Sequence, residues 1–408
     1  MTEVNIIGLG FVGLTTAVGL SFKNIKINAV ETNISKLNKI SSGKLPFYEP
    51  ILDKKLKLVL KEKKIFFSNK IKLKKNKLNI FFICIGTPSN KNGSANLDQI
   101  LYFFRKLKKK IKNEKILFVI KSTVPPYSTE RIFKRIFVKH KNIDFCSNPE
   151  FLREGSAWKD FFNSGKIVIG CENVSTKKTM IKIYKNFKDK KIFVNTVTAE
   201  YIKYLSNSML ANMISFSNDM TILAEKIKNI NIKESFNALK IDNRWNGSPS
   251  PMRNYYHPGL GYGGYCLPKD VKSFKHFSKK YLKKTQLDEI DRINNKIFEY
   301  QLKKVSKLSS KLNLFILGLS FKPGSDDLRS SKSIQLIQKL LKKGKKITAF
   351  DPISYESSKI ILDKKVKVFK KPFVAKNTIY ILATAWPEYI KFLSKINKKK
   401  IIDLRYVI

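Results

Sequence analysis

The stretch VNIIGLGFVGL, from Val4 to Leu14, constrains the fold more than any other part of the chain. An apolar strand-like run meets Gly8, Gly10 and Gly13 and then passes into a run of small residues with helical character. Gly8 permits the tight turn out of a strand, Gly10 lets a pyrophosphate approach the backbone, and Gly13 lets the helix pack close to the strand. Such a turn delivers phosphate to a helix N-terminus, where free N–H groups and the dipole stabilise it. Glu31 ends the next strand-like run, KINAVE, at roughly the 20-residue spacing that this pattern requires. A carboxylate there accepts hydrogen bonds from an adenine ribose and repels a 2′-phosphate, so the cofactor expected is NAD rather than NADP.

The rest of the chain repeats this alternation. Strand-like NIFFICIGT, KILFVIKST, IDFCSNPE and GKIVIGC are separated by helical or loop stretches, and KIFVNT is the last strand, ending near Thr196. Strands alternating with helices imply a parallel sheet covered on both faces. From Ala199 the pattern becomes a single helical run of roughly 30 residues, about 45 Å long, with no internal Gly or Pro. That length suits a spine between domains and a dimer surface. A Gly/Pro/Ser-rich loop, NGSPSPMRNYYHPGLGYGG, interrupts the helical region, which resumes to about Ser310. From Leu312 the alternation returns in a shorter form. The expected fold class is therefore α/β, with two Rossmann-like doubly wound parallel-sheet domains joined by a long central helix and a helical middle domain. The expected boundaries are 1–198, 199–310 and 311–408.

Charge raises a non-enzymatic alternative. Lys and Arg number 81 against 31 acids, a net charge of +50, and such a field attracts nucleic acid or anionic surfaces. Only nine of the 81 are Arg, so guanidinium forks for base or phosphate recognition are scarce. The Lys residues are dispersed among Ile, Asn and Phe, as an AT-rich coding sequence would produce, and the runs at 106–115 and 397–400 read as solvated faces. Neither a nucleic-acid partner nor a membrane partner is expected. The longest uncharged stretches, such as Tyr204 to Asn218, fall short of the roughly 18 to 20 apolar residues of a membrane span. The start, MTEVNIIGLG, lacks a basic n-region, so no cleaved signal peptide is expected and the location expected is cytoplasmic.

Cys84, Cys146, Cys171 and Cys266 form no C-x-x-C pair, and His140, His257 and His276 are isolated, so no metal site is expected. Cys84 and Cys146 lie in apolar runs, where a thiol behaves as a small hydrophobe. Cys266 is different: it sits in GYGGYCLPKD, behind three glycines. A thiol in such a gap is either a structural filler or a nucleophile. Pro268 suits the first position of a helix, which would set the thiol beside a helix N-terminus, with Lys269 adding positive charge. Asp270 would share its helical face and handle a proton. A thiolate beside an NAD fold adds to an aldehyde, and the adduct can lose hydride to give a thioester.

These residues resemble the UDP-glucose/GDP-mannose dehydrogenase family, and the resemblance runs through the whole chain in order. Its motifs are GLGFVGL at 8–14, GTP at 86–88, KSTVPP at 121–126, NPEFLREG at 148–155, AEYIKYLSN at 199–207, GYGGYCLPKD at 261–270 and GLSFKPGSDDLRSS at 318–331. The resemblance implies an NAD-dependent, two-step oxidation of a nucleotide sugar's C6 alcohol to a carboxylate; from the long helical run, a homodimer is expected. It implies Cys266 as the nucleophile, with Asp270 as the proton-handling residue and Lys269 as its neighbour. Lys203 and Asn207, one helical turn apart, would stabilise an alkoxide or oxyanion. Glu154 would act through water in thioester hydrolysis beside Thr123, with Glu150 assisting. Cofactor contacts are implied for Gly8, Gly10, Val12, Gly13, Glu31, Lys36, Thr87, Thr123, Glu154, Lys269 and Arg329. Substrate contacts are implied for Glu150, Phe151, Leu152, Arg153, Glu154, Lys203, Asn207, Arg244, Tyr255, Tyr256, His257, Pro258, Gly259, Gly263 and Lys322.

Within the family the first expectation is UDP-glucose as substrate, with GDP-mannose or another UDP-sugar as the alternative. The CLPKD tail separates the chain from the UDP-N-acetylhexosamine branch but is shared by the other two. Glu31 stands where many relatives have Asp, and the segment before the glycine-rich loop is longer than in compact bacterial relatives. Outside the family, an anionic-surface or nucleic-acid binding protein and a silent NAD-binding scaffold are the competing readings.

Overall fold

The computed structural model describes residues 3–227, 229–241, 258–280, 283 and 285–408, the side chains of 219, 223, 226 and 227 excepted. The chain divides into two compact units, Met1–Ser206 and Asn207–Ile408.

In the first unit, strands β1 (Glu3–Ile7), β2 (Lys26–Val30), β3 (Ile65–Ser68), β4 (Asn79–Ile83), β5 (Ile116–Ile120), β6 (Ile143–Ser147), β7 (Lys166–Cys171) and β8 (Lys190–Val194) form one sheet. Its order is β3-β2-β1-β4-β5-β6-β7-β8. The interior strands β4 and β5, NIFFI and ILFVI, are buried along their whole length, as strands covered on both faces must be. One face packs Val4, Ile6, Leu14, Val18 and Leu56, and the other packs Phe81, Phe104, Phe118 and Phe137. The strand order reverses between β1 and β4, which opens a crevice at their C-terminal ends.

The doubly wound expectation holds from β3 to β6, and then the direction changes. β7 pairs with β6 antiparallel, Cys146 opposite Cys171 and Ser147 opposite Gly170. The cause lies in the connection. Its helix, Ala157–Phe162, has six residues, about 9 Å at 1.5 Å per residue, too short to carry the chain back along a strand. Residues 148–165 therefore stay at the C-terminal end of β6, beside the crevice.

The helix Thr196–Ile227 runs for 32 residues, as its unbroken periodicity predicts. In the second unit the helices Ile232–Ile241, Cys266–Ser278 and Gln286–Ser306 precede a five-stranded sheet. Its strands are β9 (Asn313–Leu317), β10 (Lys346–Phe350), β11 (Lys367–Phe369), β12 (Thr378–Leu382) and β13 (Ile401–Asp403), in the order β11-β10-β9-β12-β13, all parallel. Apolar clusters cover both of its faces, Leu314, Ile316 and Leu336 on one and Phe315, Phe350 and Tyr380 on the other. Among the described residues, no helix is long and apolar enough to cross a membrane.

The two sheets use the same turn after their first strand. Gly8 and Gly318 both have positive φ, 86° and 92°. Each donates its N–H to the last residue of the neighbouring strand, Val30 at 2.9 Å and Phe350 at 2.8 Å.

The start of the long helix is tied to the first sheet by Glu200, which is buried and accepts from Thr129 N at 2.8 Å and Thr129 Oγ1 at 2.5 Å, at the N-terminus of the helix Ser128–Ile136. Burial pushes its carboxyl up to about 7, against hydrogen bonds from Thr129 and the N–H groups of Tyr127 and Ser128. The folded protein therefore holds this proton more tightly than the unfolded chain. The stability it contributes is fully present below the unfolded value of 4.5 and is lost as pH rises through about 7. Urea unfolding should show a component on the order of 2 to 4 kcal/mol lost between pH 4.5 and 8. Glu200→Gln should remove that component; an unchanged pH dependence in the variant would contradict the assignment.

Candidate functional site

The glycines of the first unit's turn differ in what surrounds them. A Cβ on Gly13 would overlap the Gly8 carbonyl oxygen, so this glycine serves the packing of helix Phe11–Ser21 on β1. Gly10 is that helix's N-cap and supplies no side-chain oxygen, and a Cβ there would meet nothing within 4 Å. The open space lies where a pyrophosphate would approach the helix's free N–H groups. Val12 packs against the core beneath.

Glu31 is buried at the end of β2, where one oxygen accepts from Leu9 N and the other from Asn33 N, both at 3.1 Å. Lys36 Nζ lies 2.7 Å from Glu31 Oε2. Burial opposes ionisation, yet the hydrogen bonds from Lys36, Asn33 and Leu9 together with the Lys36 charge hold the carboxyl below its usual value. Glu31 is thus an anion at neutral pH that also pins the glycine turn. These residues fit an adenine dinucleotide: the turn and helix N-terminus for its phosphates, Glu31 for its ribose. Further along the strand ends, Thr87 Oγ1 donates to the Thr123 carbonyl at 2.8 Å, bringing the GTP and KSTVPP motifs together.

The loop after β6 forms a second cluster. Glu150 is buried, with Leu152 N at 2.6 Å from Oε2 and Lys203 Nζ at 3.0 Å from Oε1. Burial raises its carboxyl, but the Lys203 charge and the Leu152 and Lys203 hydrogen bonds prevail and hold it below its ordinary range. The Phe151 ring lies 5.4 Å from Lys203 Nζ and 4.6 Å from Lys166 Nζ. Arg153 forms a fork on the buried Asp160, at 2.9 and 2.7 Å, and Glu154 is half-buried. No helix follows Pro149 directly, so neither Glu150 nor Glu154 caps one. Glu49 takes that part instead, accepting from Gly155 N and, at 3.3 Å, from Ala157 N. Sequence reading missed Glu49 and also Lys121, Asn148 and Tyr184, which line a cavity of about 40 Å³ with Glu150 and Phe151. The polar residues inside KSTVPP and NPEFLREG were the available signal.

In the second unit the helix begins at Cys266 itself, so Pro268 occupies its third position rather than the first. The proline still costs no hydrogen bond, because the first four N–H groups of a helix have no internal partner. The half-buried Cys266 thus stands in the first turn. Asp270 is buried, held by Lys269 Nζ at 2.5 Å and by Asn207 Nδ2. The glycines let a second loop come close: a Cβ on Gly263 would meet the Ser330 carbonyl oxygen at 2.6 Å, and one on Gly264 the Phe321 ring at 2.9 Å. The neighbouring Tyr265 ring carries the Arg329 guanidinium 4.2 Å from its centroid, and Asp327 forks that guanidinium at 2.9 Å on both sides. Lys322 lies on the same loop, its Nζ 5.5 Å from the Phe321 ring. Pro258 and Gly259 are buried, and Gly259 N donates to Asn218 Oδ1 at 2.7 Å. Arg244, Tyr255, Tyr256 and His257 lie outside the described residues. The other cysteines differ in kind: burial pushes the Cys84 thiol up to about 12 and raises Cys146 strongly.

The two glycines make a paired test. Gly13→Val should destabilise the protein by about 2 kcal/mol or more, because the added atoms overlap backbone. Gly10→Val should leave the unfolding midpoint nearly unchanged while NAD binding, measured by titration calorimetry, weakens at least about tenfold. Equal destabilisation by both substitutions would contradict the division of roles.

Three comparisons bear on this arrangement. The family models of the UDP-glucose/GDP-mannose dehydrogenase family match in order: the NAD-binding domain at residues 2–188, the central domain at 197–296 and the UDP-binding domain at 315–408. A UDP-glucose 6-dehydrogenase of Rickettsia prowazekii is 34% identical over 432 residues, covering 100% of this chain and 95% of its own. The structure of a UDP-glucose dehydrogenase from Pyrobaculum islandicum superimposes with a TM-score of 0.87 at 30% identity, covering 100% of this chain and 95% of that one. A UDP-D-ManNAc dehydrogenase from Pyrococcus horikoshii shares the fold, with a TM-score of 0.81 at 23% identity over 100% and 96% of the two chains. Matched along its whole length by these family models and relatives, the chain belongs to the UDP-glucose/GDP-mannose dehydrogenase family and is an NAD-dependent oxidoreductase.

Proposed function

We propose that the chain is a UDP-glucose 6-dehydrogenase, oxidising the sugar's C6 alcohol to a carboxylate to give UDP-glucuronate. The observation that carries this reading is Cys266 in the first turn of its helix, one turn before a buried Asp270 held by Lys269 and Asn207. An enzyme that stopped at the aldehyde would need no thiol there. NAD supplies the hydride acceptor for each of the two oxidations.

The roles are those that the resemblance assigns. The alcohol loses a proton and a hydride to become an aldehyde, and the Cys266 thiolate adds to that aldehyde. The thiohemiacetal loses a second hydride to become a thioester, and water then releases the carboxylate and regenerates the thiol. Lys203 and Asn207 stabilise the oxyanions, Asp270 exchanges protons, and Glu154 directs the water with Thr123 and Glu150. The resemblance assigns nucleotide-sugar contacts to residues 150–154 in the first unit and to Pro258, Gly259, Gly263 and Lys322 in the second. The relatives named for UDP-glucose favour that substrate, and the CLPKD tail argues against an N-acetylated sugar. None of the four cysteines forms a disulfide, which fits a reducing compartment, and we place the reaction in the cytoplasm.

The long helix supports a homodimer. Tyr201, Leu205 and Met209, spaced four apart, are 42%, 46% and 50% exposed, and Phe216 is 53% exposed. An apolar stripe of this kind on a helix is matched by a second copy.

Cys266→Ser should retain nucleotide-sugar binding and lose acid formation; normal turnover by that variant would remove the mechanism. NADH formation with UDP-glucose, GDP-mannose and UDP-N-acetylmannosamine should be fastest by far with the first, and a preference for another would reassign the substrate. Met209→Asp with Phe216→Asp should shift the sedimentation coefficient to that of a monomer. Unchanged sedimentation would place the dimer contact elsewhere.

A further inference from the structure

Lys121 is a buried cation for which the reaction above has no use. It follows β5, opening KSTVPP, and its side chain points into the interior of the first unit. Burying an ammonium without a carboxylate against it is costly, and a chain with so many exposed lysines has no evident need to bury this one. Its hydrogen bonds go to a single residue: Nζ donates to the Asn148 carbonyl oxygen and to Asn148 Oδ1, both at 3.3 Å.

Asn148 is held from every side. Its N–H donates to the Ile120 carbonyl at 2.8 Å and its Nδ2 to the Val168 carbonyl at 2.7 Å, while Oδ1 also accepts from Tyr184 Oη at 2.5 Å. The carbonyl that Lys121 engages belongs to the peptide bond entering Pro149. The next residue is Glu150, whose carboxylate is the partner of Lys203. A continuous chain of contacts thus runs from Lys121 through Asn148 and Pro149 to Glu150 and the Lys203 ammonium.

The geometry points to Lys121 as a positioning residue of the oxidation site, one that fixes the departure of the 149–154 loop from β6 and through it the Glu150–Lys203 pair. This rests on the function proposed above for Lys203 and Glu150. The groups facing Lys121 are Cys84 after β4, Cys146 in β6, Glu150, Lys203 and, across Asn148, Tyr184. Burial lowers the pKa of Lys121; the Cys84 thiol, Glu150 and the Cys146 thiol act in the opposite direction, and the Lys203 charge adds to the lowering. Lys121 in turn helps to keep the Glu150 carboxyl ionised. Removing it should therefore raise the pH at which Glu150 takes up a proton.

Two readouts test this. Hydrogen exchange of the 148–154 amides needs no substrate, and in Lys121→Met it should accelerate at least about tenfold while the melting temperature stays within a few degrees. In turnover, Lys121→Met should lower kcat at least about tenfold with KM for the nucleotide sugar changed less than about threefold, and move the low-pH limb of the profile upward. Lys121→Arg, which keeps the charge, should leave that limb in place. Tyr184→Phe, which removes the other donor to Asn148 Oδ1, should accelerate exchange of the same amides and serves where Lys121→Met does not fold. Unchanged exchange at 148–154 in a folded variant, or an unmoved low-pH limb with reduced kcat, overturns the proposal. If the wild-type protein oxidises no nucleotide sugar, the proposed function falls, and the exchange data alone decide whether Lys121 positions the loop.

Discussion

The first sheet and its cofactor loop depend on one interaction: the buried Glu31 carboxylate accepting the Leu9 N–H from inside the glycine turn. The turn needs Gly8 in the left-handed region and Gly13 without a side chain, which leaves a backbone with little of its own to hold it. A carboxylate 22 residues away supplies the missing acceptor, and the neighbouring Lys36 keeps it charged. The same group is the one proposed to meet the adenine ribose of NAD, so a single side chain would serve both structure and recognition.

The second sheet repeats the device with a different outcome. Asp351, at the end of β10, accepts from Leu319 N at 2.8 Å and Ser320 N at 3.3 Å through one oxygen, and from Ile353 N and Ser354 N through the other. It is fully buried, and both of its oxygens are engaged by the protein's own backbone. Glu31 is one methylene longer and lies nearer the surface with a lysine against it. The two turns therefore share an architecture and differ in what their acids are available to do. The second is a structural clamp within a sheet whose loop, from Gly318 to Ser331, packs on Gly263 and Gly264 beside Cys266.

Much of this was legible in the residues because glycine and proline leave little freedom. The strand–glycine–helix pattern marked the first sheet, unbroken periodicity marked the long helix, and the three glycines before Cys266 marked a close approach now filled by Phe321 and Ser330. Local pattern did not reveal the reversal at β7, since an apolar run reads alike in either direction. The direction depends on the length of a six-residue helix and on where it packs. The start of the helix at Cys266 was displaced by two residues for a similar reason: a proline is tolerated anywhere in the first turn.

The sequence by itself determined the two doubly wound sheets, the glycine turn after the first strand and the close approach of backbone before Cys266, because each rests on residue types whose backbone requirements are local. Only the tertiary structure decided which polar groups became partners. Glu49 reaching Gly155, Lys121 ending on Asn148, Asp327 holding Arg329 and Asp351 clamping its own turn are choices among many available lysines, amides and carboxylates. In a chain with 81 basic residues, composition cannot say which ammonium is buried. Packing decides it, because a buried charge persists only where neighbouring strands bring acceptors within reach.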